Sequence, residues 1–147
     1  MSSRFASYLF IASLCLSSPS AVAATADEAK SLCREAIAYY QDSGKDAAFA
    51  EISDTEGTFR RGELYVFVYD KDGTVVAHGA DPDRVGKNRI DQQDANGKYF
   101  GREIMEVTES GDAVEYVWIN PETGQLQNKT TYVFLVDDYR FGCGVYQ

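Results

Sequence analysis

The stretch ELYVFVYD, residues 63–70, constrains this chain more than any other. Side chains alternate across a strand, and here both alternating sets are apolar, so neither face can be left in water. It reads as a strand inside a sheet that is covered on both sides. DKDG follows as a turn, with Gly73 free to take the positive backbone dihedral of a tight reversal, and TVVAH returns antiparallel. Two more strand-like runs, AVEYVWIN and LQNKTTYVFLV, are joined by PETG, and YRFGCGVY makes the last.

Helical patterns flank and interrupt these strands. TADEAKSLCREAIAYYQ sets Thr25 and Glu28 at capping-box spacing and places Ala29, Leu32, Cys33, Ala36, Ile37 and Tyr40 on one stripe. Ser43 and Asp46 are expected to cap a second, shorter helix through Phe49 and Ile52, with SDTEGTFRRGE as a loop after it. GADPDRVGKNRIDQQDANGK is a long connector of the kind that is functional or mobile. YFGREIMEVTES then predicts a helix with Phe100, Ile104, Met105 and Val107 inward, stopped by Gly111. The sum is an α+β domain, its N-terminal helix packed on one antiparallel sheet of about five strands.

The first residues have the form of a secretory signal: Arg4, then the apolar FASYLFIASLCL, then AVAA. Residues 1–23 are expected to be removed, leaving residues 24–147 as one domain in the periplasm or outside the cell. A lipoprotein anchored at Cys15 would need a small residue before it, and Leu14 stands there. No later segment approaches the roughly 20 apolar residues of a membrane span. The formal charge of −9 comes with no basic stripe, which excludes nucleic acid and anionic lipid as partners.

Catalytic and cofactor chemistry find little support. One histidine, His78, has no metal-ligand spacing around it, and DKDG continues with Thr74 and Val75 where a calcium loop needs further ligands. The glycines of GADPDRVGKN lack the spacing of a phosphate loop. No nucleophile elbow appears, and pairing Cys143 with His78 as nucleophile and base competes with oxidation of that sulfur. Cys33 and Cys143 are the two cysteines of the mature chain. Export favours a bridge between them, closing a loop of about 110 residues worth roughly 4 to 5 kcal/mol; the alternative is two separately buried thiols.

The terminal strand has two faces. Phe141, Cys143 and Val145 point to the N-terminal helix, and Arg140, Gly142, Gly144 and Tyr146 point away. Two glycines in succession on one face leave a gap for a ligand or for a large neighbouring side chain. Tyr116 with Trp118, and Tyr132 with Phe134, share strand faces; such rings form core or wall a pocket, with Lys129, His78, Lys87 and Arg89 as the available donors.

LYVFVYDKDGTVVAH, VGKN, DQQDANGKYFGREI, EYVWINPETG, KTTYV and GCGVY, in that order, resemble the successive blocks of a single Cache domain, the PAS-like extracytoplasmic sensor of bacterial chemoreceptors and sensor kinases. The resemblance runs from about Asp27 to Tyr146. It implies a long N-terminal helix on one face of the sheet and a small-molecule pocket on the other, under the connector and inserted helix. It implies a small organic acid or similar metabolite as ligand, with His78, Tyr116, Trp118, Lys129 and Tyr132 at the site. Gly79 stands where family members often carry proline after the histidine. With no apolar segment after Tyr146, the expectation is an exported, non-catalytic binding protein that feeds a signalling partner. An envelope interaction module without a ligand is the competing reading.

Overall fold

The structure, a computed structural model, describes residues 22–147. The predicted signal peptide lies outside the described residues except for Val22 and Ala23, and so does Cys15.

Helix α1 spans Ala26–Ser43 and opens with the predicted capping box. Glu28 N–H donates to Thr25 Oγ1 at 3.2 Å, and Thr25 N–H donates to Glu28 Oε2 at 2.7 Å. Ser43 does not start the second helix, because α1 runs through it. Gly44, at φ 83, breaks the chain instead, a conformation that a side chain rarely adopts. Helix α2 follows at Lys45–Ser53 without a side-chain cap.

Six strands form one antiparallel sheet: β1 (Arg60–Arg61), β2 (Leu64–Tyr69), β3 (Val75–His78), β4 (Asp112–Ile119), β5 (Leu126–Val136) and β6 (Tyr139–Tyr146). The order is β1-β2-β6-β5-β4, with β3 also paired to β2. The additional strand is β1, in a stretch that reads as loop. Its two residues pair with Leu64 and Tyr65 across a turn in which Gly62 takes φ 61. β2 therefore has partners along both edges, as its doubly apolar sequence requires.

The alternation in β2 sorts the core into two chemically different layers. Leu64, Val66 and Val68 join Leu32, Cys33 and Ala36 of α1 and Ile52 of α2. Tyr65, Phe67 and Tyr69 face the other way, towards Phe100 and Ile104 of helix α3 (Phe100–Glu106) and Tyr116 of β4. α3 is shorter than predicted: it ends before Val107, and Gly111, at φ 96, lies just before β4.

The expected bridge between Cys33 and Cys143 is not formed. Both are free thiols, fully buried in the helix-side layer. The strand pattern puts both sulfurs at one interface, but a bond also needs matching height and direction of the two Cβ atoms, and pattern does not set these. Burial pushes both thiols up, Cys143 to about 12, so neither supplies a thiolate nucleophile at neutral pH.

The long connector, residues 79–99, is held down rather than loose. Gly79 N–H donates to Val66 O at 2.9 Å, a bond that proline could not make, and so extends the β3 pairing by one step. Further along, Gly86 N–H donates to Val75 O at 2.8 Å and Arg89 N–H to Gly73 O at 2.8 Å. A short 3-10 turn, Pro82–Arg84, lies between these anchors.

Candidate functional site

Lys129 is the residue on which the site is built. It lies on β5 opposite Tyr146 of β6 and Tyr116 of β4, and only 1% of it is exposed. Its ammonium sits 4.0 Å from the centre of the Tyr65 ring, 4.9 Å from that of Tyr146 and 5.9 Å from that of Phe67. Its one hydrogen bond is to Tyr65 Oη, at 2.7 Å. No carboxylate pairs with it among the described residues.

The hydroxyls next to it have a fixed sense. Tyr146 O–H donates to the Ile119 carbonyl at 2.9 Å, so across the 3.3 Å contact Tyr65 is the donor and Tyr146 the acceptor. Tyr65 then offers Lys129 a lone pair and no charge, since burial raises the phenol's pKa and keeps it neutral. Burial in turn pushes Lys129 down to about 7, with the Arg84 charge helping. A cation taken out of water without a counter-ion costs several kcal/mol. The fold carries that cost at one position.

His78 ends β3 on the same face. Its Nδ1 accepts from Asp81 N–H at 2.9 Å and Ala80 N–H at 3.3 Å, which leaves the ring proton on Nε2. Nε2 makes no hydrogen bond among the described residues. Burial, with Lys129 and Arg84 nearby, pushes His78 down to about 3, so it is a neutral donor at neutral pH. Above it, Arg84 lies 4.8 Å from the Trp118 ring centre and donates from Nε to Asp81 Oδ2 at 2.9 Å. Phe100 stacks on Tyr116 with centroids 4.1 Å apart, and Tyr116 Oη meets Thr131 Oγ1 at 2.9 Å.

Two spaces meet at Tyr65, His78, Arg84 and Trp118; Lys129 lines neither and borders a separate cleft of about 350 Å³ with Tyr116, Asp94 and Lys98. An inner slot between Tyr65, Phe67, His78, Phe100 and Tyr116 has a volume of about 10 Å³, room for a single water. An outer cleft of about 430 Å³ opens beside it, bounded by Arg60, Asp81, Ile119 and Pro121. Tyr65, His78, Arg84 and Trp118 line both, so the Arg84–Trp118 stack stands between mouth and interior.

The family model described as Single Cache domain 2 matches residues 20–146. This chain belongs to that family. It is 34% identical over 85 residues to the sensor histidine kinase MctS of Rhizobium johnstonii, a match that takes in 56% of this chain and 18% of the kinase. The chain thus spans under a fifth of that relative. Among solved structures, a methyl-accepting chemotaxis protein from Vibrio parahaemolyticus superposes with a TM-score of 0.71 at 24% identity, covering 82% of this chain and 86% of the other. A Cache chemosensory domain described for carboxylic acid recognition gives 0.64 at 20% identity, covering 82% and 87%. At these identities the likeness is one of fold.

Of the residues predicted for the site, this Cache domain brings His78, Tyr116, Trp118 and Lys129 to one place. Tyr132 is not among them. It pairs with Cys143 on the helix side, packs against the apolar layer there and receives the Lys30 ammonium 4.5 Å over its ring. Positions 129 and 132 differ by an odd number, and in a strand that places them on opposite faces.

Gly142 and Gly144 face the site, but the protein's own side chains take the space. A Cβ at Gly142 would lie 2.3 Å from the Phe67 ring, and one at Gly144 would lie 2.5 Å from Thr131 Oγ1 and 2.8 Å from Lys129 Cε. The glycines admit Phe67 and Lys129 to the interior; backbone access for a ligand is not their role. Lys87 and Arg89 line neither space. Tyr65, Phe67 and Tyr146 escaped the sequence reading because they resemble ordinary core, although the i, i+2 spacing of Tyr65, Phe67 and Tyr69 carries the signal. Arg84 had none beyond its place in the connector.

Proposed function

We propose that this Cache domain is an exported, non-catalytic receptor for a small organic acid, acting in the periplasm or outside the cell and read by a signalling partner of the envelope. The observation that carries the reading is Lys129: a buried lysine amine with one neutral hydrogen-bond partner and no carboxylate against it among the described residues. A carboxylate supplies what the fold withholds, two charge-assisted acceptors in a dry aromatic surround. The neutral His78 Nε2–H adds a donor, and Trp118 and Tyr116 give apolar walls. Similarity to a sensor kinase supports the sensing role, and likeness of fold to a Cache domain described for carboxylic acid recognition supports the class of ligand. No helix among the described residues is long and apolar enough to cross a membrane.

Thermal unfolding of the full chain with acetate, propionate and matched ammonium salts of inert anions tests this. A ligand held a hundredfold above its Kd stabilises the native state by about 2.7 kcal/mol, a shift of several degrees. Carboxylates are expected to raise the midpoint and the control salts to leave it. Lys129→Met should abolish the response while raising the midpoint without ligand, since it removes an uncompensated buried charge. A full carboxylate response in Lys129→Met, or none in the wild type at millimolar concentration, overturns the reading.

A further inference from the structure

The approach to α1 is fixed by one contact that the reading above does not use. Ala24 N–H donates to Glu63 Oε1 at 3.2 Å, and the Ala24 side chain packs on the helix-side core. Glu63 is held by its other oxygen, Oε2, which accepts from Asn120 Nδ2 at 2.9 Å. Asn120 is only 2% exposed and is itself fixed, because Nδ2 also donates to Gln127 Oε1 at 2.7 Å and Oδ1 accepts from Glu122 N–H at 2.9 Å. Glu63 is thus aimed at the Ala24 nitrogen from the turn between β1 and β2, and no lysine or arginine pairs with it among the described residues. Its sequence neighbours Arg60 and Arg61 pair elsewhere, with Glu122 and Glu35. Just upstream of Ala24 the contacts stop: Ala23 is exposed and Val22 is 93% exposed.

We infer that Ala24 is the first residue of the mature protein, and that the α-ammonium created by cutting the Ala23–Ala24 bond pairs with Glu63, fastening the start of α1 to the β1–β2 turn and the β4–β5 hairpin. This rests on the export part of the reading above and not on its ligand. The reaction is hydrolysis by an export-linked endopeptidase: water breaks the amide, its oxygen stays on Ala23 as the carboxylate of the departing leader, and the Ala24 nitrogen gains protons and a full positive charge. AVAA places Ala21 and Ala23 at the two positions where such an enzyme takes small side chains. The same letters allow a cut one residue later, and the geometry decides between them. Thr25 as first residue would put the new charge on the N-cap of α1, at the positive end of the helix, on a nitrogen already bonded to Glu28 Oε2 at 2.7 Å. It would also discard Ala24 and its contact with Glu63. With Ala24 first, the charge stands one residue farther from the helix and meets a carboxylate set to receive it. A charge-assisted bond is about twice as strong as the neutral one it replaces, and a chain end stays ordered only where something ties it down. Glu63 lies two residues before Tyr65, so the tie also steadies the strand that carries the hydrogen-bond partner of Lys129.

Expression of the full chain in a bacterium with a secretory pathway, followed by amino-terminal sequencing and intact-mass measurement of the exported product, tests the cut. The expected first residue is Ala24. Acetylating only the α-amine of that product keeps one N–H and removes the charge, and should lower the thermal midpoint by about 2 to 5 °C. Glu63→Gln should lower it by a similar amount, and acetylating the Glu63→Gln protein should add less than about 1 °C, since both changes remove the same pair. A mature chain that begins at Thr25 or elsewhere overturns the inference. So does an acetylation effect that is absent in the wild type or undiminished in Glu63→Gln. Should Glu63→Gln fold poorly, pH decides: the difference between free and acetylated wild type should vanish at about pH 10, well above the titration of an ordinary α-amine, and a difference that persists there counts against the pair. A cut at another position leaves export standing. A chain kept uncut inside the cell removes export and this inference together, while the response of Lys129 to carboxylates is judged separately by thermal unfolding with those ligands.

Discussion

The two sides of this sheet are made from the same strands and follow different rules. The helix side is apolar and closed, with Leu32, Cys33, Val66, Val68, Phe141 and Cys143 buried and, among the described residues, no ionisable group but the two thiols in its buried core. The other side buries tyrosine hydroxyls, a histidine and a lysine, each placed by one or two specific hydrogen bonds. A layer of the first kind is non-directional and only has to be dry and well filled. One of the second kind is poised: Lys129 has a single neutral hydrogen-bond partner and His78 Nε2 has none among the described residues, which lowers stability and leaves binding capacity. Stability and recognition are thus divided between faces that alternate residue by residue along β2, β5 and β6.

The division breaks first, and furthest, where the helix-side layer is emptied. Phe141 is fully buried and carries the Tyr40 ring 5.5 Å away on α1. Phe141→Ala should cost about 3 to 5 kcal/mol in urea unfolding, from lost transfer energy and the cavity left behind. If the faces are independent, carboxylate affinity of the remaining folded protein changes little. A loss of affinity in proportion to the loss of stability would show that the layers are coupled through the sheet.

A smaller effect, of opposite character, comes from pH. Lys129 titrates at about 7 in the folded chain against about 10.5 unfolded, so between those values the unfolded chain holds a proton that the folded chain has released. Stability without ligand therefore rises with pH through that window. His78, at about 3 folded against 6.5 unfolded, gives a similar rise at lower pH. Above about pH 9 the raised pKa values of the buried thiols, and then of the buried tyrosines, reverse the trend. Melting curves at pH 7 and pH 9 should show wild type gaining on Lys129→Met. Carboxylate affinity should fall over the same range as the ammonium is lost. Parallel curves for the two proteins would mean that Lys129 is not the buried cation described here.

How much of this was legible in advance follows the same line between the faces. Periodicity reports burial, and the doubly apolar β2, the buried stripe of α1, the antiparallel return of β3 and the two-sided β6 all follow from which side chains avoid water; the β2-β6-β5 order does not. What one apolar side chain does with another's space is not periodic. Phe67 filling the gap over Gly142, Lys129 filling the one over Gly144, and two cysteines at one interface without a bond all depend on heights and rotamers that no repeat encodes. Arg84 enters from an irregular connector, whose path is set by bonds such as Gly79 N–H to Val66 O.

Tyr132 gives the finest test of the division, because family likeness and strand geometry disagree on it. Likeness assigns it to the ligand; alternation turns it towards α1, where Lys30 covers its ring. Tyr132→Leu keeps an apolar body on the helix side and removes a partly exposed cation–π contact worth about 0.5 to 1 kcal/mol. The expected result is that small loss of stability, with propionate affinity unchanged within about twofold, since Tyr132 lies in the helix-side layer, on the opposite face of β5 from Lys129. A tenfold loss of affinity without further loss of stability would mean that the site draws on both faces of the sheet. The alternation of β5 would then have to bend near Lys129, and the odd spacing that separates the two residues would no longer decide which of them meets the ligand.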